Sequence, residues 1–183
     1  SENAVAIIKT EQEGNPRNIK TIMIPTTAGT GSESDRYSVV YIEKIKYSLS
    51  HPSSLPEYAI LDPSFTRSLP KNITAITGFD ALSQAIETLW AVASTEASRK
   101  LSKEALTIIL NNIEKAVNNP DDNAREQMLV ASDIAGQAIN IATTTAPHAV
   151  SYPMTGFLGI PHGQGVALTL PYFLELNANV NEE

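Results

Sequence analysis

Thr21-Ile22-Met23-Ile24-Pro25-Thr26-Thr27-Ala28-Gly29-Thr30-Gly31-Ser32-Glu33 is the stretch from which the architecture follows. Its first part is a short apolar run closed by proline, the pattern of a buried strand. Its second part is rich in Gly, Thr and Ser, a loop able to present backbone N–H groups to a phosphate. The loop lacks the third glycine of the dinucleotide fingerprint, so an ordinary strand-to-helix turn fits it equally well. Upstream, Ala4 to Ile8 reads as the tail of a helix, and Glu13-Gly14-Asn15-Pro16 as a turn. Downstream, Tyr37-Ser38-Val39-Val40-Tyr41-Ile42 is rich in β-branched and aromatic residues, and Lys46 to Ser50 pairs back with it as a hairpin. Tyr58-Ala59-Ile60-Leu61-Asp62-Pro63 repeats the buried-strand pattern.

From Ser68 the period changes to that of helices. Ser68 is placed to cap a helix with Pro70 in its first turn, where a missing N–H costs nothing. Phe79, Leu82, Ile86 and Leu89 follow helical spacing and mark its core stripe. Leu101, Ala105, Ile108, Ile109, Ile113 and Val117 do the same up to Asn118-Asn119-Pro120, and a third helix runs from about Asn123 to Ile141. His148 to Tyr152 is a helix or turn, and Gly163 to Asn177 the last segment. The expected fold class is therefore α/β followed by an all-helical domain. The expected boundary separates residues 1–66, an incomplete α/β part, from residues 67–183, an all-helical part.

Composition excludes several classes. Thirteen basic residues against 20 acidic ones give a net charge of −7, a surface that repels phosphate backbones, so no nucleic-acid partner is expected. The chain has no cysteine, which removes disulfides and thiolate metal sites. Apolar runs are only a few residues long, so no membrane partner is expected and a cytoplasmic location is the default.

Three histidines remain as candidates for chemistry. His51, in Ser50-His51-Pro52-Ser53, reads as a solvated loop residue. His148 and His162 lie among small and apolar residues, a setting for partial burial. Two hydrogen-bonded core histidines fit that pattern. So does a nitrogen- and oxygen-ligated site for Zn²⁺, Fe²⁺, Mn²⁺ or Co²⁺. Asp80 and Gln84 are four apart and share a helix face. A carboxylate there either answers the helix dipole or needs a partner such as a cation.

Taken together, these segments resemble the iron-dependent (group III) alcohol dehydrogenases of the dehydroquinate synthase-like superfamily. The resemblance rests on Pro25 to Glu33, on Gly78-Phe79-Asp80-Ala81-Leu82 with Ala85-Ile86-Glu87, and on His148 and Gly159-Ile160-Pro161-His162-Gly163. It implies a truncated nucleotide-binding portion packed on a helical domain, with metal and substrate in the cleft between them. It implies Asp80, His148 and His162 as ligands of a divalent metal, Fe²⁺ or Zn²⁺. The family's remaining ligand, a His four residues after the Asp, is here Gln84, a neutral oxygen donor. Tyr152 stands where the family usually has a further His. Thr26, Thr27, Thr30 and Gly31 are implied near the pyrophosphate and nicotinamide of NAD or NADP, and Lys46 near a ribose. No side chain is assigned an acid–base role.

The stretches Thr144 to Pro153, Leu82 to Glu87 and Val166 to Pro171 look like the phosphonoacetaldehyde reductase branch. The implied activity is hydride transfer between the cofactor and a small aldehyde or alcohol, possibly phosphonoacetaldehyde, and a homodimer is among the expected assemblies. The family's glycine-rich phosphate loop is expected upstream of Ser1. The chain as it stands is therefore expected to be weakly active or inactive, and a folded helical scaffold without activity is the alternative. Another reaction of the superfamily, such as polyol dehydrogenation, is a third reading.

Overall fold

A computed structural model describes residues 19–178, and the expected helix tail from Ala4 to Ile8 lies outside them. The polypeptide enters as β1 (Ile22–Met23) and reaches, through the Pro25–Asp35 loop, a hairpin of β2 (Tyr37–Ile42) and β3 (Ile45–Ser50). Tyr37 faces Ser50 across the hairpin and Ile42 faces Ile45. The two connecting residues, Glu43 and Lys44, lie at φ 50° and 68°, the twist that suits a two-residue hairpin turn. A short 3₁₀ turn (Pro52–Ser54) leads to β4 (Tyr58–Ala59), which pairs in parallel with β1. Among the described residues these are two separate two-stranded sheets.

β1 and β4 were expected to be buried, but they are not: Ile22 is 59% and Tyr58 52% exposed. A two-stranded sheet has few neighbours to cover its faces.

After a second 3₁₀ turn (Pro63–Thr66) the described chain is helical. The helices are α1 (Lys71–Trp90), α2 (Glu96–Asn118), α3 (Asp122–Ala142), α4 (Ala146–Leu158) and α5 (His162–Ala178). None is long and apolar enough to cross a membrane. α2 opens on a reciprocal capping box between Thr95 and Ser98. α3 opens on the Asp121 carboxylate, which accepts from the Ala124 N–H at 2.8 Å. α4 stops at Gly159, whose φ of 69° is the left-handed conformation of a helix end.

α1 starts at Lys71 rather than being capped by Ser68, with Pro70 in the cap position and no side-chain cap. The residue before a proline is driven out of the helical region, so Leu69 cannot continue a turn begun at Ser68. The expected core stripe of α1 is also rotated. Phe79 is 43% exposed, and Leu82, Ile86 and Leu89 are only half-buried. The buried positions are Gly78, Ala81 and Ala85, together with Thr74, Asp80, Ser83, Gln84, Glu87 and Thr88. α1 packs against α2, α3 and α5, so small side chains sit where neighbours approach and larger ones are pushed to the rim. The core continues through Ala105, Ile109, Met128, Leu129 and Ala135 of α2 and α3.

The Pro25–Asp35 loop lies down on these helices. Gly31 has φ 63°, and a Cβ on it would come within 2.6 Å of the Gly136 Cα of α3. Only glycine allows both the conformation and the approach. This contact buries Glu33 and Asp35, and the Ser34 hydroxyl bonds Asp133. Glu33 Oε1 has no hydrogen-bond partner. Burial pushes the Glu33 carboxyl up to about 7; its own backbone N–H opposes this, and Asp133 and Asp35 add to it.

That shift has a defined sign. Below about pH 4.5 Glu33 is protonated in both the folded and unfolded chain and contributes nothing. Between 4.5 and 7 the folded state holds a proton that the unfolded state has released, so stability falls as pH rises. Glu33→Gln is therefore expected to melt a few degrees above the wild type at pH 8 and at the same temperature by pH 4, as read by calorimetry. An equal difference at both pH values contradicts a buried, unpaired Glu33.

Candidate metal centre

Helix α1 carries Asp80, Gln84 and Glu87 at spacings of four and three, which places all three on one face. α4 delivers His148 from its first turn, and α5 delivers His162 as its first residue. α5 reaches α1 because its second residue is Gly163: a Cβ there would meet the Ile76 carbonyl oxygen at 2.3 Å and Asp80 Cβ at 3.1 Å. The approach sets His162 beside Asp80.

Asp80 Oδ1 lies 3.3 Å from His148 Nε2 and 3.7 Å from His162 Nε2. One ligand atom from each of the three residues falls within 4.8 Å of the others. The rings stand edge to face, with centroids 5.2 Å apart.

The opposite nitrogen of each ring is tied back into the protein. His148 Nδ1 is 2.5 Å from Glu87 Oε1 and donates to that carboxylate. The second Glu87 oxygen accepts from the Thr145 N–H at 2.6 Å and from its hydroxyl at 2.9 Å. Glu87 itself is fully buried. His162 Nδ1 is 3.0 Å from Ser151 Oγ. Ser151 already donates its one hydroxyl proton to the His148 carbonyl oxygen at 2.6 Å, so it accepts from His162. Both imidazoles therefore carry Nδ1–H and turn Nε2 toward Asp80.

The result is a buried convergence of acceptors without donors. Asp80 Oδ1, His148 Nε2 and Gln84 Oε1 are all buried and have no hydrogen-bond partner. The Gln84 amide is turned this way because its Nε2 donates to the Thr30 carbonyl oxygen at 3.1 Å. Acceptors gathered in a low-dielectric site call for a cation, and nitrogen and oxygen donors of this type suit Fe²⁺ or Zn²⁺. The residues present thus fit a divalent metal. Burial alone would push the His148 imidazole down, but Asp80 and Glu87 outweigh it and raise it to about 9, so without an ion Nε2 holds a proton toward Asp80 that a bound cation displaces. His162 is displaced downward, by burial first.

A cavity of about 400 Å³ opens onto these groups, lined also by Thr30, Ser32, Asp35, Lys46, Thr143 and Thr144. Of the residues expected at a cofactor, Thr30 and Lys46 line it, whereas Thr26, Thr27 and Gly31 do not. Lys46 reaches it from β3, which packs on α4. Its ammonium sits 3.5 Å above the Tyr152 ring centroid. Tyr152 in turn stacks on His162 at 6.2 Å. His51 is not part of the site. Instead of being solvated it is half-buried and caps the first 3₁₀ turn, its Nδ1 accepting from the Ser53 N–H at 3.1 Å.

Glu87 and Ser151 were not among the residues expected at the site. The signal for Glu87 was its spacing of seven from Asp80, two turns along the same face, and that for Ser151 its spacing of three from His148.

Known proteins resemble this chain over most of its length. Residues 74–183 match the Fe-containing alcohol dehydrogenase family, C-terminal, and residues 2–63 match iron-containing alcohol dehydrogenase. The chain belongs to the iron-containing alcohol dehydrogenase family. It is 39% identical to long-chain-alcohol dehydrogenase 1 of Geobacillus thermodenitrificans, over 90% of this chain and 41% of that protein. It is 33% identical to the phosphonoacetaldehyde reductase of Streptomyces viridochromogenes, over 88% of this chain and 42% of that protein. Among solved structures, sulfoacetaldehyde reductase from Bifidobacterium kashiwanohense in complex with NAD⁺ superposes with a TM-score of 0.90 at 39% identity. That match covers 94% of this chain and 47% of the reductase. The chain thus spans about two fifths of the length of the curated relatives it matches.

Glu87 orients a ligand without touching the ion, so its loss is expected to weaken binding rather than abolish it. Glu87→Ala should lower Zn²⁺ affinity by about 10- to 100-fold in a chelator competition, and Ser151→Ala by less. Unchanged affinity in both variants contradicts the orienting role.

Proposed function

We propose that this chain supplies the metal-binding and substrate-facing part of an alcohol dehydrogenase or aldehyde reductase. The reaction is hydride transfer between NAD or NADP and a small aldehyde or alcohol, with phosphonoacetaldehyde as the proposed substrate. The observation that carries this reading is the convergence of Asp80 Oδ1, His148 Nε2 and His162 Nε2 at the wall of a cavity. The family membership and the likeness to two reductases of short acidic aldehydes support it.

A divalent metal bound there supplies Lewis-acid polarisation of a carbonyl oxygen, and the nicotinamide supplies or accepts the hydride. The chain's own contribution is positional. Asp80, His148 and His162 hold the ion, Glu87 and Ser151 keep the two rings from rotating, and Gln84 offers a neutral oxygen. Thr26, Thr27, Thr30, Gly31 and Lys46 are the proposed cofactor-side residues. Thr30 also joins the two functions, because its carbonyl sets the Gln84 amide. Ile139 and Val39 give the cavity apolar wall that limits water around the reacting carbon.

Elemental analysis of the purified protein, paired with a nicotinamide-linked assay of the complete gene product on short aldehydes including phosphonoacetaldehyde, tests the reading. About one Fe or Zn per chain and metal-dependent reduction are expected. Metal-independent turnover, or full metal loading with no aldehyde reduced, contradicts it. Gln84→His, which replaces a neutral oxygen with imidazole nitrogen, is expected to tighten Zn²⁺ binding about tenfold or more. Unchanged affinity places the Gln84 side chain away from the ion.

A further inference from the structure

Among the described residues three that are not glycine have a positive φ, and two of them, Glu43 and Lys44, form the hairpin turn that calls for it. The third is Thr143, the residue that ends α3, at φ 63° and ψ 167°. That conformation is essentially glycine's own, and a β-branched side chain fits it worst. The chain holds Thr143 there from both sides. Its N–H donates to the Ile139 carbonyl oxygen at 2.8 Å and closes the last turn of α3. Two residues later the Thr145 N–H and hydroxyl are fixed on Glu87, at 2.6 and 2.9 Å. Glycine would make the turn between these anchors without strain, and it is the common residue past a helix end. The threonine side chain that stands there is exposed, and its hydroxyl makes no hydrogen bond among the described residues. Neither core packing nor a bond to the protein accounts for it. It does line the cavity of about 400 Å³ that opens onto Asp80, His148 and His162, four residues after Ile139, which lines the same cavity. Strained backbone of this kind gathers at ligand sites, where the side chain is what the site uses.

We propose that Thr143 is a specificity-determining residue of this site, its branched side chain forming a wall that restricts the cavity to short aldehydes and alcohols. The proposal rests on the reading of the cavity as an aldehyde site. Threonine is stiff at χ1, so the wall does not swing aside for a longer chain. A close-fitting wall discriminates by single methylenes, each a factor of about 10 to 200 in kcat/KM.

The test is the ratio of kcat/KM for hexanal to that for propanal in the complete gene product. It is measured for the wild type, Thr143→Gly and Thr143→Val, with the melting temperature of each. Thr143→Gly is expected to raise the ratio about tenfold or more, the span of one methylene. It is also expected to melt a few degrees higher, because the strain at φ 63° is released. Thr143→Val keeps the shape and drops the hydroxyl, so its ratio should stay within about threefold of the wild type, well below one methylene. Thr143→Ser serves if the Val variant does not fold: it drops only the methyl, and its ratio should fall between those of the wild type and Thr143→Gly.

An unchanged ratio in Thr143→Gly overturns the proposal. So does a ratio that rises as far in Thr143→Val, which makes the hydroxyl and not the size of the side chain the selecting feature. A lower melting temperature in Thr143→Gly overturns it too, because the threonine then serves the fold. A gene product that reduces neither aldehyde defeats the aldehyde reading instead. Thr143 is then tested by the calorimetric affinities of 1-hexanol and 1-propanol for the wild type and Thr143→Gly. Their ratio is expected to shift by the same factor of about ten toward 1-hexanol, and an equal ratio in the two proteins overturns the proposal.

Discussion

A carboxylate with no access to water, Glu87, holds the two halves of the site together. Three bonds converge on it: His148 Nδ1, the Thr145 N–H and the Thr145 hydroxyl. Trp90, one turn further along α1, donates to the same Thr145 hydroxyl at 2.9 Å. The start of α4 is thereby pinned to the end of α1. A buried charge with fewer partners would cost several kcal/mol, so α4 has little freedom to settle elsewhere. The same bond fixes the His148 tautomer and aims Nε2 at Asp80. One interaction thus does the work of helix docking and of ligand orientation.

Close backbone approach supplies the rest. The face of α1 that its neighbours touch is built of glycine and alanine, with polar groups between them. α5 comes near enough for His162 to reach Asp80 only because Gly163 has no side chain to strike Ile76. The Pro25–Asp35 loop settles on α3 because Gly31 meets Gly136 without a Cβ on either. From there Thr30 reaches Gln84 and turns its amide. A cofactor-side loop and a metal-side helix are therefore joined by a single hydrogen bond, and a shift in one displaces the other.

Much of this was legible in the sequence, for identifiable reasons. The change of period near Ser68 announced the helices, and the turn residues bounded them. Asp80, His148 and His162 stood out because the chain has only three histidines, two of them in small-residue surroundings. What the sequence hid was orientation. The large apolar residues of α1 suggested its core face, yet a helix packed on several sides buries its smallest residues, and the stripe moved to the rim. Nothing local to Glu87 shows that a histidine 61 positions away bonds it. The exposure of β1 and β4 depends on which elements cover them, which a local pattern does not encode. Lys46 was expected at a ribose, and only the fold shows that its ammonium rests over the Tyr152 ring.

The central claim is that Glu87-held His148, Asp80 and His162 form one metal centre with Gln84 at its edge. Anomalous diffraction at the zinc edge from Zn²⁺-soaked crystals addresses it directly. The account predicts one strong peak within bonding distance of Asp80 Oδ1, His148 Nε2 and His162 Nε2, with Glu87 still bonded to His148 Nδ1. A peak elsewhere on the chain, or one bound by Glu87 with His148 turned away, would contradict it.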